Sequence, residues 1–155
     1  MTVSIRSAGE VDRDFVLGLA TRLVDGFEAP SHRSKPELIE GDRRALEAWF
    51  DEPSNPQEAI LLAELDGAPA GCAFLVTSID YFTQRPHAHL SVLAVDKSAE
   101  GKGVGSALLA ASEQWARDHG SDRLTLSALV TNARARGLYE RRGYSGEYIR
   151  YVLPL

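Results

Sequence analysis

Gly101, Gly103 and Gly105 follow the apolar run Leu90-Ser91-Val92-Leu93-Ala94-Val95 and precede Ser106-Ala107-Leu108-Leu109-Ala110. The order reads strand, glycine loop, helix. A glycine loop opening a helix leaves backbone N–H groups without intrahelical partners, and their partial positive charge makes a seat for a phosphate or pyrophosphate. Gly103 and Gly105 lack a Cβ, so an anion can approach their main chain closely. No Gly-Lys-Ser or Gly-Lys-Thr stands at Walker A spacing, and a Rossmann fingerprint would need a small third residue where Ser106 stands, in a first βαβ unit rather than this late in the chain. Taken alone, the loop is compatible with an anion seat or with a tight turn that binds nothing.

A second stretch decides between them. Asn132-Ala133-Arg134-Ala135-Arg136-Gly137-Leu138-Tyr139-Glu140-Arg141-Arg142-Gly143-Tyr144 follows a β-like run from Leu124 to Val130. With the glycine loop it resembles the GNAT superfamily of acyl-CoA-dependent N-acyltransferases. Two motifs carry the resemblance: the Arg/Gln-x-x-Gly-x-Gly/Ala loop after a hydrophobic strand, and Asn-x-x-Ala-x-x-Leu-Tyr-x-x-x-Gly-Phe/Tyr after the next strand. The likeness runs from about Ile60 to the C-terminus and covers the earlier part only in outline. Glu100 departs from the pattern where the family has Arg or Gln, and it is expected to point away from the pyrophosphate, with lower coenzyme affinity as the result.

The resemblance implies that the pantetheine arm of acetyl-CoA inserts between two diverging strands, bonded by main-chain groups of Leu93, Ala94 and Val95. The amides of Lys102, Gly103, Val104, Gly105 and Ser106 would hold the pyrophosphate, with Lys97 and Lys102 beside it. Asn132 is expected to cap the following helix and to bond the cofactor arm. Acyl transfer from a thioester to an amine needs an unprotonated amine, a polarised carbonyl and a proton for the departing thiolate. Tyr139 stands at the motif position that supplies that proton. Many members place a Glu two residues before the position of Leu93, where this chain has Ser91. By strand alternation His89, with His87 before it, shares a face with Ser91 and Leu93, and an imidazole of pKa ~6.5 suits the role of base. The acceptor is expected to be a primary amine of a small molecule or a peptide. A second reading, a GNAT-fold module that holds acyl-CoA without turnover, is kept open by Ser91 and Glu100.

The elements that must position these groups follow from periodicity. Val3 to Arg6 alternates as a strand, Val11 to Val24 has helical spacing through Asp12, Phe15, Val16, Leu19, Leu23 and Val24, and Pro36 to Phe50 reads as a second helix. Between them, Phe27, Glu28, His32 and Arg33 are candidates for the acceptor wall by location. Ile60–Leu65 and Ala70–Ile79 flank Asp66-Gly67, a hairpin turn pair. A strand ending at Val95, a helix from Gly103 to His119 with Gly120 as its stop, a parallel strand over Leu124–Val130 and a last strand within Glu147–Leu153 complete the pattern. The expected class is α/β: a mixed, mostly antiparallel central sheet flanked by helices, with splayed parallel central strands.

The 155 residues, 44% apolar, suffice for one domain spanning residues 1–155. No leader pattern opens the chain and no run approaches the ~18 apolar residues of a membrane span, so a cytoplasmic protein is expected. Cys72 is the only cysteine and reads as a core residue. A formal charge of −5 without a basic stripe argues against nucleic acid and favours a cationic acceptor. His32 and His119, the remaining histidines, belong to no ligand motif, so no metal is expected. Neither membrane nor nucleic-acid partners are expected, and a homodimer is admitted.

Overall fold

In the computed structural model, which describes residues Met1 to Leu155, Asp66 and Gly67 take φ of 51° and 84°. Positive φ at both positions is what a two-residue hairpin turn requires, because only that twist matches the flanking strands. The turn lays β2 (Ala59–Leu65) antiparallel to β3 (Ala68–Ile79). β1 (Val3–Ser7) pairs antiparallel with the outer edge of β2, and β4 (Pro86–Val95) pairs antiparallel with β3. β5 (Leu124–Leu126) returns beside β4 in parallel, giving a five-stranded mixed sheet in the order β1-β2-β3-β4-β5.

Two cores cover the two faces of the sheet. On one face α1 (Arg13–Gly18) and α2 (Lys35–Asp51) bury Val16, Leu46, Trp49 and Phe50 against Ile60, Leu62, Cys72 and Phe74. Burial pushes the Cys72 thiol up to about 12, so it stays protonated as a small core residue. On the other face α3 (Val104–Asp118) sets Val104, Leu108 and Leu109 against Ala63, Ala73, Leu75 and Leu90. Gly71 permits this approach, since a Cβ there would lie 2.7 Å from the Ala94 carbonyl oxygen and 3.2 Å from side-chain atoms of Leu108 and Val104. No helix is long and apolar enough to cross a membrane.

Three expectations change in detail. The segment read as one helix over Val11–Val24 is a 3₁₀ turn (Glu10–Asp12), the short α1, and a 3₁₀ segment (Leu19–Val24). Asp12 explains the broken start. Its buried carboxylate accepts from Arg6 Nη1 and Nη2 at 2.8 and 2.9 Å and from the Gly9 amide at 2.9 Å, which holds the chain in a turn before the helix begins. β5 ends at Leu126 rather than Val130, because its ladder partners on β4 stop at Leu90. No strand forms within Glu147–Leu153: Tyr148, Tyr151 and Leu153 are 72%, 87% and 81% exposed, so no apolar face holds this segment to the sheet, and β5 offers only a three-residue ladder.

Candidate active site

β4 carries one residue more than its partner opposite Phe74 and Leu75, whose register partners are Val92 and Leu90, so Ser91 is the bulged residue. A bulge breaks the two-residue alternation and turns the strand's far half over. Leu90 therefore packs in the α3 core while Val92 and Ala94 pack in the α1–α2 core. Beyond Leu90 the ladder to β5 ends, but β4 runs on to Val95 and the segment after β5 continues through Ser127, Ala128 and Leu129. The two segments line a cleft of about 770 Å³ together with the glycine loop and α4 (Ala133–Arg141).

The loop keeps its donors free. Gly101 and Gly103 take φ of 71° and 83°, the left-handed region that glycine enters without strain. The amides of Gly101, Lys102 and Gly103 meet no acceptor within the chain, and those of Val104, Gly105 and Ser106 begin α3. Glu100 lines the cleft, and its charge is matched: it accepts from Arg22 and, at 2.9 Å, from Arg134 Nη1. Arg134 first and Arg22 second hold the Glu100 carboxyl below the usual range. Arg22 is tied further to Asp25 and, through Nε at 3.1 Å, to the Val95 carbonyl. Val95 O thus has a protein partner, and Ala94 turns its main-chain groups to the ladder opposite Cys72, which leaves Leu93 on the open edge of β4 for a ligand arm.

Asn132 caps α4, its Oδ1 accepting from the Ala135 amide at 3.2 Å. About two turns later Tyr139 lines the cleft, partly buried, its hydroxyl bonded to no protein group. Burial pushes its pKa up, so it remains a phenol. α4 is anchored to α3 through Glu113, which accepts from Arg142 at 2.8 and 2.9 Å and from the Tyr144 hydroxyl at 3.0 Å.

The sequence model for the acetyltransferase (GNAT) family matches residues 25–144, most of the chain and all of this site except Arg22 and Leu23. The chain belongs to the GNAT acetyltransferase family. A mycothiol acetyltransferase of Clavibacter sepedonicus is 34% identical over 116 residues, covering 74% of this chain and 35% of that protein. This GNAT chain therefore spans about a third of the length of the mycothiol acetyltransferases it matches. The uncharacterized N-acetyltransferase YhfO of Bacillus subtilis (strain 168) is 33% identical over 117 residues, 74% of this chain and 76% of that one. Among solved structures, AAC(6')-Iy in complex with the bisubstrate analog CoA-S-monomethyl-acetylneamine superposes with a TM-score of 0.73 at 19% identity, covering 100% of this chain and 99% of that one. The ribosomal-protein-alanine N-acetyltransferase of Brucella melitensis gives 0.71 at 18%, covering 100% of both chains. These two likenesses speak for the GNAT fold alone.

Of the residues singled out in the sequence, Leu93, Ala94, Val95, Gly103, Val104, Gly105, Ser106, Asn132 and Tyr139 come together in the GNAT cleft. Lys97 joins them, Lys102 does not line it, and Phe27 is the one acceptor-wall candidate that does. His89 is placed elsewhere. It pairs with Val76, which packs on the α1–α2 core, so the bulge separates it from the face of Leu93, which packs on the α3 core. Its Nδ1 lies 2.8 Å from Thr125 Oγ1, and His87 Nε2 lies 3.0 Å from the same hydroxyl. Burial first, then the neighbouring His87, lowers the His89 pKa. Arg22, Arg134 and Asp42 line the cleft and were not found from sequence. For Asp42 a signal existed: Leu38, Asp42, Leu46 and Trp49 follow one another at helical spacing, so a carboxylate stands in the apolar stripe.

Proposed function

We propose that this protein transfers the acetyl group of acetyl-CoA to a primary amine of a small molecule or peptide. The observation that carries this reading is that one cleft holds unpartnered loop amides at one end and the unpartnered phenol of Tyr139 in its wall. The amides, with Lys97 and Arg134 near them, suit a pyrophosphate. The unpaired edge of β4 past Leu90 suits an arm that carries amides of its own. The acceptor nitrogen attacks the thioester carbonyl, and collapse of the adduct expels a thiolate whose ordinary pKa is ~8.5. Tyr139 gives that sulfur its proton as the C–S bond breaks, and the proton shed by nitrogen restores the phenol. The burial that keeps Tyr139 protonated also desolvates the thiolate, raising the sulfur's demand for a proton.

Thiol release measured with a panel of amines tests the reading, alongside the thermal shift that acetyl-CoA produces by binding the folded state. Tyr139→Phe is expected to retain the shift and to lower kcat by roughly ten- to a thousandfold. A protein that binds acetyl-CoA but releases no thiol whichever amine is added is a binding module, and equal rates for Tyr139→Phe remove the phenol from the reaction.

A further inference from the structure

An amine of pKa ~10 arrives as an ammonium ion at neutral pH, so a group in the cleft must take its proton before nitrogen can attack. Three carboxylates line the cleft: Asp25, Asp42 and Glu100. Asp25 is held by Arg22, and Glu100 by Arg22 and Arg134. Asp42 alone forms no ion pair and accepts no hydrogen bond from the chain. Its neighbour Arg43 turns to Glu47 on the same helix at 3.3 Å. Asp42 sits one turn before the fully buried Leu46, on the side of α2 that faces the sheet, and is itself partly buried.

We propose that Asp42 takes the proton lost by the acceptor's ammonium group, which makes the acceptor a cationic amine and Asp42 the base that neither Ser91 nor His89 supplies. The inference rests on the acetyltransferase reading. The ammonium nitrogen gives one proton to the Asp42 carboxylate, which later returns it to water. The freed lone pair then forms the C–N bond, the C–S pair departs with sulfur, and Tyr139 protonates that sulfur. Nitrogen's second proton re-forms the phenol, so one proton is released per turnover. Burial already raises the Asp42 pKa, as a base working near neutrality needs. The cations lining the same cleft are Arg22, Lys97, Arg134 and Arg141. Arg22 and Arg134 are engaged by carboxylates, and Tyr139 is neutral.

The test uses Asp42→Asn in the full chain, with Asp42→Glu as the conservative rescue. The asparagine variant should keep the acetyl-CoA thermal shift, lose on the order of 10²-fold in kcat/KM for a cationic amine, and lose the rise of rate with pH through the Asp42 titration. Asp42→Glu should recover part of the rate. Because the raised pKa means that the charged carboxylate opposes folding, Asp42→Asn should also raise Tm by about 1–4 °C, whereas loss of a structural contact would lower it. An active wild type whose kcat/KM and pH profile are matched by Asp42→Asn overturns the inference and leaves the acetyltransferase reading standing. A wild type that binds acetyl-CoA but acetylates no amine overturns both.

Discussion

Replacing Gly71 with alanine adds one methyl group at the seam between β3, the end of β4 and α3. The new Cβ would stand 2.7 Å from the Ala94 carbonyl oxygen, a backbone atom held in the β3–β4 ladder opposite Cys72. It would also stand 3.2 Å from Leu108 Cδ1 and Val104 Cγ1, whose residues are 0% and 1% exposed and have no free space to retreat into. Carbon and oxygen rest comfortably at about 3.5 Å, so the helix and strand must part by several tenths of an ångström. Overpacking of this kind costs about 1–3 kcal/mol, and an obstacle made of backbone places Gly71→Ala near ~2–3. The entropy gained by removing a glycine from the unfolded chain, ~0.4–1 kcal/mol, offsets only part of that. With ~2–4 °C per kcal/mol in a domain of this size, Tm should fall by about 4–8 °C, and the acetyl-CoA shift should shrink because α3 carries the glycine loop. Gly105→Ala is the control: its Cβ would meet Val95 and Leu138 at 3.7 and 3.8 Å, ordinary contact, and should move Tm by no more than about 2 °C. Thermal unfolding of the three proteins with and without coenzyme decides. A Gly71→Ala protein that melts with the wild type, or a Gly105→Ala protein that melts below it, refutes the reasoning.

Asp12 is held below the usual carboxyl range chiefly by its hydrogen bonds from Arg6, so its contribution is present above the unfolded pKa of ~3.9 and is lost as pH falls through the lower folded value. Asp12→Asn should cost about 2 kcal/mol at pH 7, less than the ~3–5 of a fully buried pair because Arg6 is 41% exposed, and urea midpoints measured from pH 7 down to pH 2 should decline less steeply than wild type. An equally steep decline would show that other carboxyls carry the acid sensitivity. His89→Gln should change kcat by less than about threefold with an unaltered pH profile, since the ring is engaged with Thr125 outside the cleft lining; a hundredfold loss would restore the imidazole as the base.

Local rules were enough for much of the fold. The Asp66-Gly67 turn, the Asn132 cap and the Gly120 stop at φ 72° each depend on one or two residues whose backbone requirements are known in advance. The glycine loop and Tyr139 were legible for the same reason: motif spacing reports them without reference to anything distant. What escaped depends on partners far along the chain. Nothing near Glu100 announces that Arg22 and Arg134, 78 and 34 residues away, converge on it. Alternation placed His89 with Leu93 because periodicity assumes an unbroken strand, and the extra residue at Ser91 is visible only against β3. The last strand failed for a related reason, since an apolar sequence makes a strand only where an edge is long enough to receive it.

That extra residue at Ser91 also bears on how the chain can change length. Substituting Ser91 leaves β4 threaded as it is, because the side chain is exposed and belongs to neither core. Deleting its codon would leave both cores as they are too. The ladder would then run unbroken, Leu90 and Val92 becoming neighbours opposite Leu75 and Phe74, so Leu90 and Leu93 would still face α3 while Val92 and Ala94 still faced α1 and α2. At this one position the strand is therefore free both in letter and in length, and what a single in-frame loss would change is the bend that the bulge gives β4 beside the cleft Ser91 lines.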